Sequence, residues 1–318
     1  MAIIRLSAIG VTSDYYGSLV PVVCKALGYQ VQWVRPKHAD ILIYGPFGNY
    51  NQKSLKWCPK PLRPLASKAI APIDSWLHQR QYQPIKIFQT GENTRPDYVA
   101  ADYSISFDLG LSGSHHFRMP YWMEMVDWSS EGVTGNQNPR FGRLLSLERL
   151  MQPLGKDFLS RPQKAAIFAS HLREPRRTLL EAVKQQIEVV QYGRSFDQTV
   201  KNHLESGIIK YDELQKVAFN LCPENGMHPG YYTEKIPEAF MAGCLPITWV
   251  DENVKTDFNP NSFINLAPMS HNHFSELQEI LHSQKILSAY AEQALILNKP
   301  SIEPLKNFIR GIIQEALS

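Results

Sequence analysis

Ala165-Ala166-Ile167-Phe168-Ala169, Ser170-His171-Leu172-Arg173-Glu174-Pro175-Arg176, a helical stretch from Arg177 to Ile187, and Glu188-Val189-Val190-Gln191-Tyr192-Gly193 follow one another without a break. An apolar β-rich run, a polar loop, a helix-period segment and a second β-rich run closing on glycine make one strand–helix–strand unit. The pattern continues with strands predicted at Val217–Cys222 and Leu245–Trp249 and a helix near Thr233–Ala242. The first half has the same alternation: Ile3–Ile9, a helix around Tyr15–Leu27, then Tyr29–Val34, Ile41–Tyr44, Ile85–Gln89 and Tyr103–Phe107. Strands alternating with helices predict an α/β fold with parallel sheets, whose ligands lie at the carboxyl ends of the strands.

The chain has 318 residues, enough for two domains. Around Leu150–Gln163 the sequence loses its period and gathers Pro153, Gly155, Lys156, Asp157, Arg161 and Pro162, which predicts a boundary near 155. The expected organisation is therefore residues 1–155, residues 156–300 and a terminal amphipathic helix, 301–318, as two Rossmann-like domains facing across a cleft. The apolar stripe Ile302, Leu305, Phe308, Ile309, Ile312, Ile313 and Leu317 fits either a packed terminal helix or a weak peripheral membrane contact.

Hydrophobic residues make up 43% of the chain and charged residues 20%, which excludes a disordered or low-complexity protein. A formal net charge of +3 is too weak a field to argue for nucleic acid. No apolar run approaches the roughly 18 residues of a membrane span. Cys24, Cys58, Cys222 and Cys244 form no CxxC pair, so buried free thiols are expected in place of zinc or disulfides. The phosphate loop GxxxxGK[ST], GxGxxG, HExxH and GxSxG are all missing, which removes the common ATPase, dehydrogenase, zincin and serine hydrolase readings. No Asp-x-Asp pair is present either, so a bound pyrophosphate must be neutralised by cations and helix ends.

Three polar clusters remain. Asn220–Ile236 runs from a strand end through a Gly/Pro/Asn loop to a helix start, with Thr233 as cap and Lys235 beside the helix N-terminus, an arrangement suited to an anion. There Glu224 and Glu234 suit sugar or ribose hydroxyls, and Tyr231 suits a base or a phosphate; a solvated strand-to-helix loop is the plainer alternative. Arg173, Arg176 and Arg177 either grip a diphosphate in bidentate fashion or cap a helix facing solvent. Thr90-Gly91-Glu92-Asn93 puts a carboxylate at a strand end, a general base if burial raises its pKa, a turn residue or ion-pair partner otherwise.

In this order the clusters resemble the α-1,3/4-fucosyltransferases of glycosyltransferase family 10. The residues that carry the resemblance are Pro223-Glu224-Asn225-Gly226, His228-Pro229-Gly230-Tyr231-Tyr232-Thr233-Glu234-Lys235, Leu245-Pro246-Ile247 and Asp257-Phe258-Asn259-Pro260-Asn261-Ser262-Phe263-Ile264-Asn265. Thr90-Gly91-Glu92-Asn93, Ala101–Asp108, Arg118-Met119-Pro120 and Phe168-Ala169-Ser170 with Arg177 extend it over about residues 85–266. The resemblance implies a GT-B fold, with an N-terminal acceptor domain and a C-terminal donor domain. It implies GDP-fucose as donor, and transfer with inversion to an acceptor glycan such as the 3-OH of N-acetylglucosamine in a lipopolysaccharide or glycoprotein.

It further implies Glu92 as catalytic base and Arg177 and Lys235 as pyrophosphate ligands. Asn225, Tyr231 and Glu234 would line the guanosine and fucose site, with Glu224, Arg173 and Arg176 beside them. No metal ligand and no tightly bound cofactor are expected, with stimulation by Mn²⁺ or Mg²⁺ left open. Pro223 stands where the family carries an aromatic residue and Gly226 where it carries a small hydroxyl residue, which motivates a different GDP-sugar as the alternative donor. A non-catalytic nucleotide-sugar or carbohydrate binder is the alternative from another class. Without an N-terminal anchor or a heptad tail in these residues, the expectation is a short bacterial-type cytoplasmic enzyme, with a peripheral position at the inner membrane face as the alternative.

Overall fold

The computed structural model describes residues 1–12, 15–47, 83–96, 99–197, 208–267 and 271–318, so Cys58 lies outside the described residues. Two compact units form. Unit 1 comprises residues 1–124, 128–136 and 301–318, and unit 2 comprises residues 125–127 and 137–300.

Unit 1 is built on β1 (Ile3–Ile9), β2 (Gln30–Trp33), β3 (Ile41–Tyr44), β4 (Ile85–Gln89), β5 (Tyr103–Ser106) and β6 (His116–Arg118), with α1 (Leu19–Ala26) following β1. The sheet order is β2-β1-β3-β4-β5-β6, and every pair is parallel. Ile41-Leu42-Ile43 is a continuous buried run, as expected of a strand covered on both faces. Buried Asp40, just before β3, accepts from the Arg5 backbone N–H at 2.7 Å and its guanidinium Nε at 3.0 Å, fixing the β1/β3 register.

Unit 2 contains α2 (Leu147–Leu150), α3 (Asp157–Ser160), β7 (Ala165–Phe168), α4 (Arg176–Lys184), β8 (Val189–Tyr192), α5 (Lys210–Leu214), β9 (Phe219–Leu221) and α6 (Lys235–Met241). After these come β10 (Leu245–Thr248), β11 (Ile264–Asn265), α7 (His271–His282) and α8 (Gln284–Ala291). Its parallel sheet has the order β11-β10-β9-β7-β8. The chain leaves β7 for β8 on one side and returns to β9 on the other, so a topological switch point lies between β7 and β9. Pro246 is tolerated inside β10 because Leu245 donates to Ala218 on the β9 side, which turns the proline nitrogen toward β11, and β11 pairs only from Ile247 onward.

The units divide at 124–137 and not at the expected 155. The backbone explains the difference: Leu154 and Gly155 donate to the Gln293 and Ala291 carbonyls, and Leu295 and Ile296 donate to Leu150. The break in composition around Pro153 is therefore a turn sewn into unit 2. The terminal helix α9 (Glu303–Leu317) belongs to unit 1. Leu305, Ile309, Ile312 and Ile313 are buried there, Phe308 packs against Phe117 with ring centroids 5.4 Å apart, and Glu131 accepts from the Ser301 hydroxyl at 2.6 Å. Most of the apolar stripe is thus packed into unit 1, as the packed-helix reading expects, while Leu317 at its end is 48% exposed. Among the described residues no helix is long and apolar enough to cross a membrane.

Candidate functional site

The carboxyl ends of β7 and β9 meet at the switch point of unit 2, and a small pocket opens there, lined by Ile167, Phe168, Arg176, Lys210, Asn220, Leu221, Cys222, Pro223 and Lys235. Three of these residues are cations, delivered by three different elements: Arg176 starts α4, Lys210 starts α5 and Lys235 starts α6.

Each cation is held from behind. Glu224, only 1% exposed, accepts from the Thr233 backbone N–H at 2.7 Å, from the Thr233 hydroxyl at 2.9 Å and from Lys235 Nζ at 2.9 Å. Burial works against the Lys235 charge, but Glu224 first and Glu234 second keep its pKa above the ordinary lysine value. Arg176, also buried, donates to the His171 carbonyl at 2.9 Å and to the Asn225 side-chain oxygen. Lys210 donates to Glu238 at 2.7 Å, and the Asn138 amide donates to the other oxygen of that carboxylate at 2.8 Å. The local field is positive: burial first, then Arg176, Arg173, Lys235 and Arg194, holds the His171 imidazole below its ordinary pKa.

Of the residues predicted for this site, Arg176, Glu224, Asn225, Glu234 and Lys235 are brought together. Tyr231 is buried two residues before Thr233, its backbone N–H bonded to the His228 carbonyl at 2.9 Å. Arg173 and Arg177 are exposed on the segment around the start of α4. Thr233 is not the helix cap: Glu234 occupies that position without a side-chain capping bond, because the Thr233 hydroxyl is bonded to Glu224 and Lys235. α6 has only seven residues, so the anion-binding capacity here rests on side chains more than on the helix end.

Glu92 belongs to unit 1 and follows the carboxyl end of β4. The Thr90 hydroxyl accepts from the Glu92 N–H at 3.0 Å and donates to its carbonyl at 2.9 Å, so the turn is closed locally and the carboxylate is exposed. Burial, the condition set for a general base here, is not met. Gly91 is required, since a Cβ there would lie 2.1 Å from the Tyr121 ring. Beneath the turn lies a buried group that residue patterns missed. Glu124 accepts from the Leu19 N–H at 2.8 Å, the Ser18 hydroxyl at 3.1 Å and the Gln89 amide at 2.6 Å. Burial pushes its carboxyl up to about 7.

Lys210, Glu238 and Asn138 were also missed. Glu238 faces partners 28 and 100 residues away, a pairing with no local signature. The buried thiols of Cys24, Cys222 and Cys244 are as expected, each pushed up to about 12 by burial.

Comparison with known proteins adds a lineage to this geometry. Residues 158–292 match the model for the C-terminal region of glycosyltransferase family 10 (fucosyltransferase), and residues 75–125 match that for the N-terminal domain of alpha-(1,3)-fucosyltransferase FucT. The chain belongs to glycosyltransferase family 10. It is 30% identical over 211 residues to the alpha-(1,3)-fucosyltransferase FucT of Helicobacter pylori, an alignment that takes in 61% of this chain and 44% of that protein. This family 10 chain thus spans less than half the length of that relative.

The crystal structure of an alpha1,3-fucosyltransferase with GDP-fucose aligns with a TM-score of 0.65 at 20% identity, covering 99% of this chain and 91% of that one. The crystal structure of an alpha1,3-fucosyltransferase with GDP aligns with a TM-score of 0.64 at 20% identity, covering 98% of this chain and 91% of that one. The fold is accordingly α/β with two parallel sheets, that of the GT-B fucosyltransferases.

Proposed function

We propose that this family 10 chain is an inverting α-1,3-fucosyltransferase that uses GDP-fucose. The observation that carries the reading is the pocket at the unit 2 switch point, lined by Arg176, Lys210 and Lys235, with the carboxylates outside the lining. Such a site suits a diphosphate, and it lies in the region that matches the family model. The relatives named α-1,3-fucosyltransferases and the one bound to GDP-fucose support the choice of donor.

In the reaction an acceptor hydroxyl oxygen, the 3-OH of N-acetylglucosamine in a bacterial glycan, bonds to the fucose anomeric carbon from the side opposite the leaving group. The bond between that carbon and the β-phosphate oxygen breaks, its electron pair departs with GDP, and the configuration inverts. Glu92, at the surface after the carboxyl end of β4, takes the hydroxyl proton. Lys235, with Arg176 and the exposed Arg177 and Arg173, stabilises the charge that develops on GDP, worth several kcal/mol in total. Asn225, Tyr231 and Glu234 line the guanosine and fucose side. Unit 1 is the acceptor half and unit 2 the donor half.

Glu92→Gln tests the assignment. Turnover, read as GDP release with N-acetyllactosamine as acceptor, is expected to fall by about 10²-fold with GDP affinity unchanged. Unchanged turnover removes Glu92 as base; GDP binding without turnover in the wild type favours a non-catalytic binder. A second donor reading follows from Pro223, which lines the pocket where the family carries an aromatic residue. Faster release from GDP-mannose or GDP-arabinose than from GDP-fucose would favour it. Running the same assay with and without Mn²⁺ or Mg²⁺ reads any stimulation by a metal ion.

A further inference from the structure

Lys210 carries more than its salt bridge explains. Its side chain is 13% exposed, and among the described residues its only side-chain hydrogen-bond partner is Glu238, itself 2% exposed. An ammonium has three N–H donors, so two remain for other acceptors. Lys210 lines the pocket beside Arg176 and Lys235, whereas Glu238 does not. Asn220 supplies an independent observation that points to a ligand. It is buried at 1% exposure, it lines the same pocket, and its amide nitrogen donates to the Ala166 carbonyl at 2.7 Å. That bond fixes the amide orientation and leaves Oδ1 buried without a donor, a state that costs free energy unless something arrives to fill it.

We propose that Lys210 is a third phosphate-binding cation of this pocket, with Glu238 and Asn138 as the buttress that positions it, and with Asn220 Oδ1 accepting from a hydroxyl or amino group of the same ligand. The ligand class is a nucleoside diphosphate or its sugar ester. The proposal deepens the donor-site reading above and rests on it. Two lysines and one arginine entering from three elements surround a diphosphate from three sides, which a single helix end does not achieve. Each cation keeps a carboxylate or amide oxygen behind it. The pocket thereby avoids three uncompensated buried charges, while the donors on the open side stay available.

The test is calorimetric titration of the full chain with GDP, guanosine and inorganic pyrophosphate. Lys210→Met alone leaves Glu238 buried without its cation and endangers folding, so the deciding protein is the double variant Lys210→Met with Glu238→Gln, in which the Asn138 contact persists. GDP and pyrophosphate affinities are expected to fall by about 10- to 100-fold, the scale of a charged hydrogen bond, while guanosine affinity stays within about twofold. Lys210→Arg is expected to restore part of the loss. Unchanged GDP affinity in the double variant overturns the proposal, and so does an equal fall for GDP and guanosine, which marks a purely structural pair. Failure of the donor reading is distinguishable: wild-type protein that binds pyrophosphate but not GDP refutes that reading and leaves Lys210 to be judged on pyrophosphate. Wild-type protein that binds neither refutes both.

Discussion

Glu124 is a carboxyl group in the core of unit 1, and replacing it with glutamine should change how stability depends on pH. Burial raises its pKa from an ordinary 4.5 to about 7, and the Leu19 N–H, Ser18 hydroxyl and Gln89 amide pull only partly the other way. The folded chain therefore binds a proton here over a range where the unfolded chain has released it. Stability from this group is fully present below about 4.5, is lost as pH rises, and is gone above about 7. A shift of this size corresponds to roughly 3 kcal/mol, at about 1.4 kcal/mol per pH unit in mid-window. Glu124→Gln removes the titration. Its amide oxygen keeps the Leu19 N–H while its NH₂ faces Gln89, whose own amide turns over and donates to the Tyr15 hydroxyl. Calorimetric unfolding of both proteins from about pH 5 to about pH 8 should show wild type losing stability relative to the variant as pH rises. A stability difference between the two proteins that stays flat with pH would refute the reasoning.

Two further outcomes follow from the geometry. Gly91→Ala drives a Cβ to 2.1 Å from the Tyr121 ring, so the turn bearing Glu92 must shift; turnover is expected to fall by about 10²-fold with GDP affinity kept, and turnover within twofold of wild type would show that the turn does not position the base. Cys24, Cys222 and Cys244 are buried with thiols pushed up to about 12, so alkylation of the native chain at mildly alkaline pH, mapped by mass spectrometry, should leave all three unmodified.

The framework was legible because the strands of a parallel sheet announce themselves as short apolar runs. Ile3–Ile9, Ile41–Tyr44 and Ile85–Gln89 form strands with the bounds the sequence suggests. The helix expected at Arg177–Ile187 instead runs Arg176–Lys184, so Arg176 rather than its neighbour opens the element. That one-residue difference matters: Arg176 turns inward to Asn225 and the pocket while Arg177 faces out, and residue type alone does not distinguish adjacent arginines. The domain boundary was misread at Pro153 and Gly155 because a composition break marks a turn equally well inside a unit as between units. Glu124, Lys210, Asn138 and Glu238 were invisible for a different reason. Each is an isolated polar residue whose meaning depends on partners brought near only by the fold.

Glu224 draws these points together. Its residue type and its place after a strand suggested a group that accepts sugar or ribose hydroxyls. In the structure both carboxylate oxygens are already engaged, Oε1 by the Thr233 N–H and hydroxyl, Oε2 by Lys235 and the same hydroxyl. A carboxylate so placed closes the loop from residue 224 to residue 233 and fixes the lysine head at the pocket wall. It also keeps Lys235 charged despite burial, where an unpaired lysine would tend to release its proton. Glu238 likewise fixes the head of Lys210, accepting from its Nζ at 2.7 Å. Placing the anions behind the cations, rather than among them, lets the pocket be assembled before any ligand arrives. Fixed charges of this kind need no reorganisation when negative charge develops on a departing diphosphate, which is the electrostatic requirement of the proposed transfer.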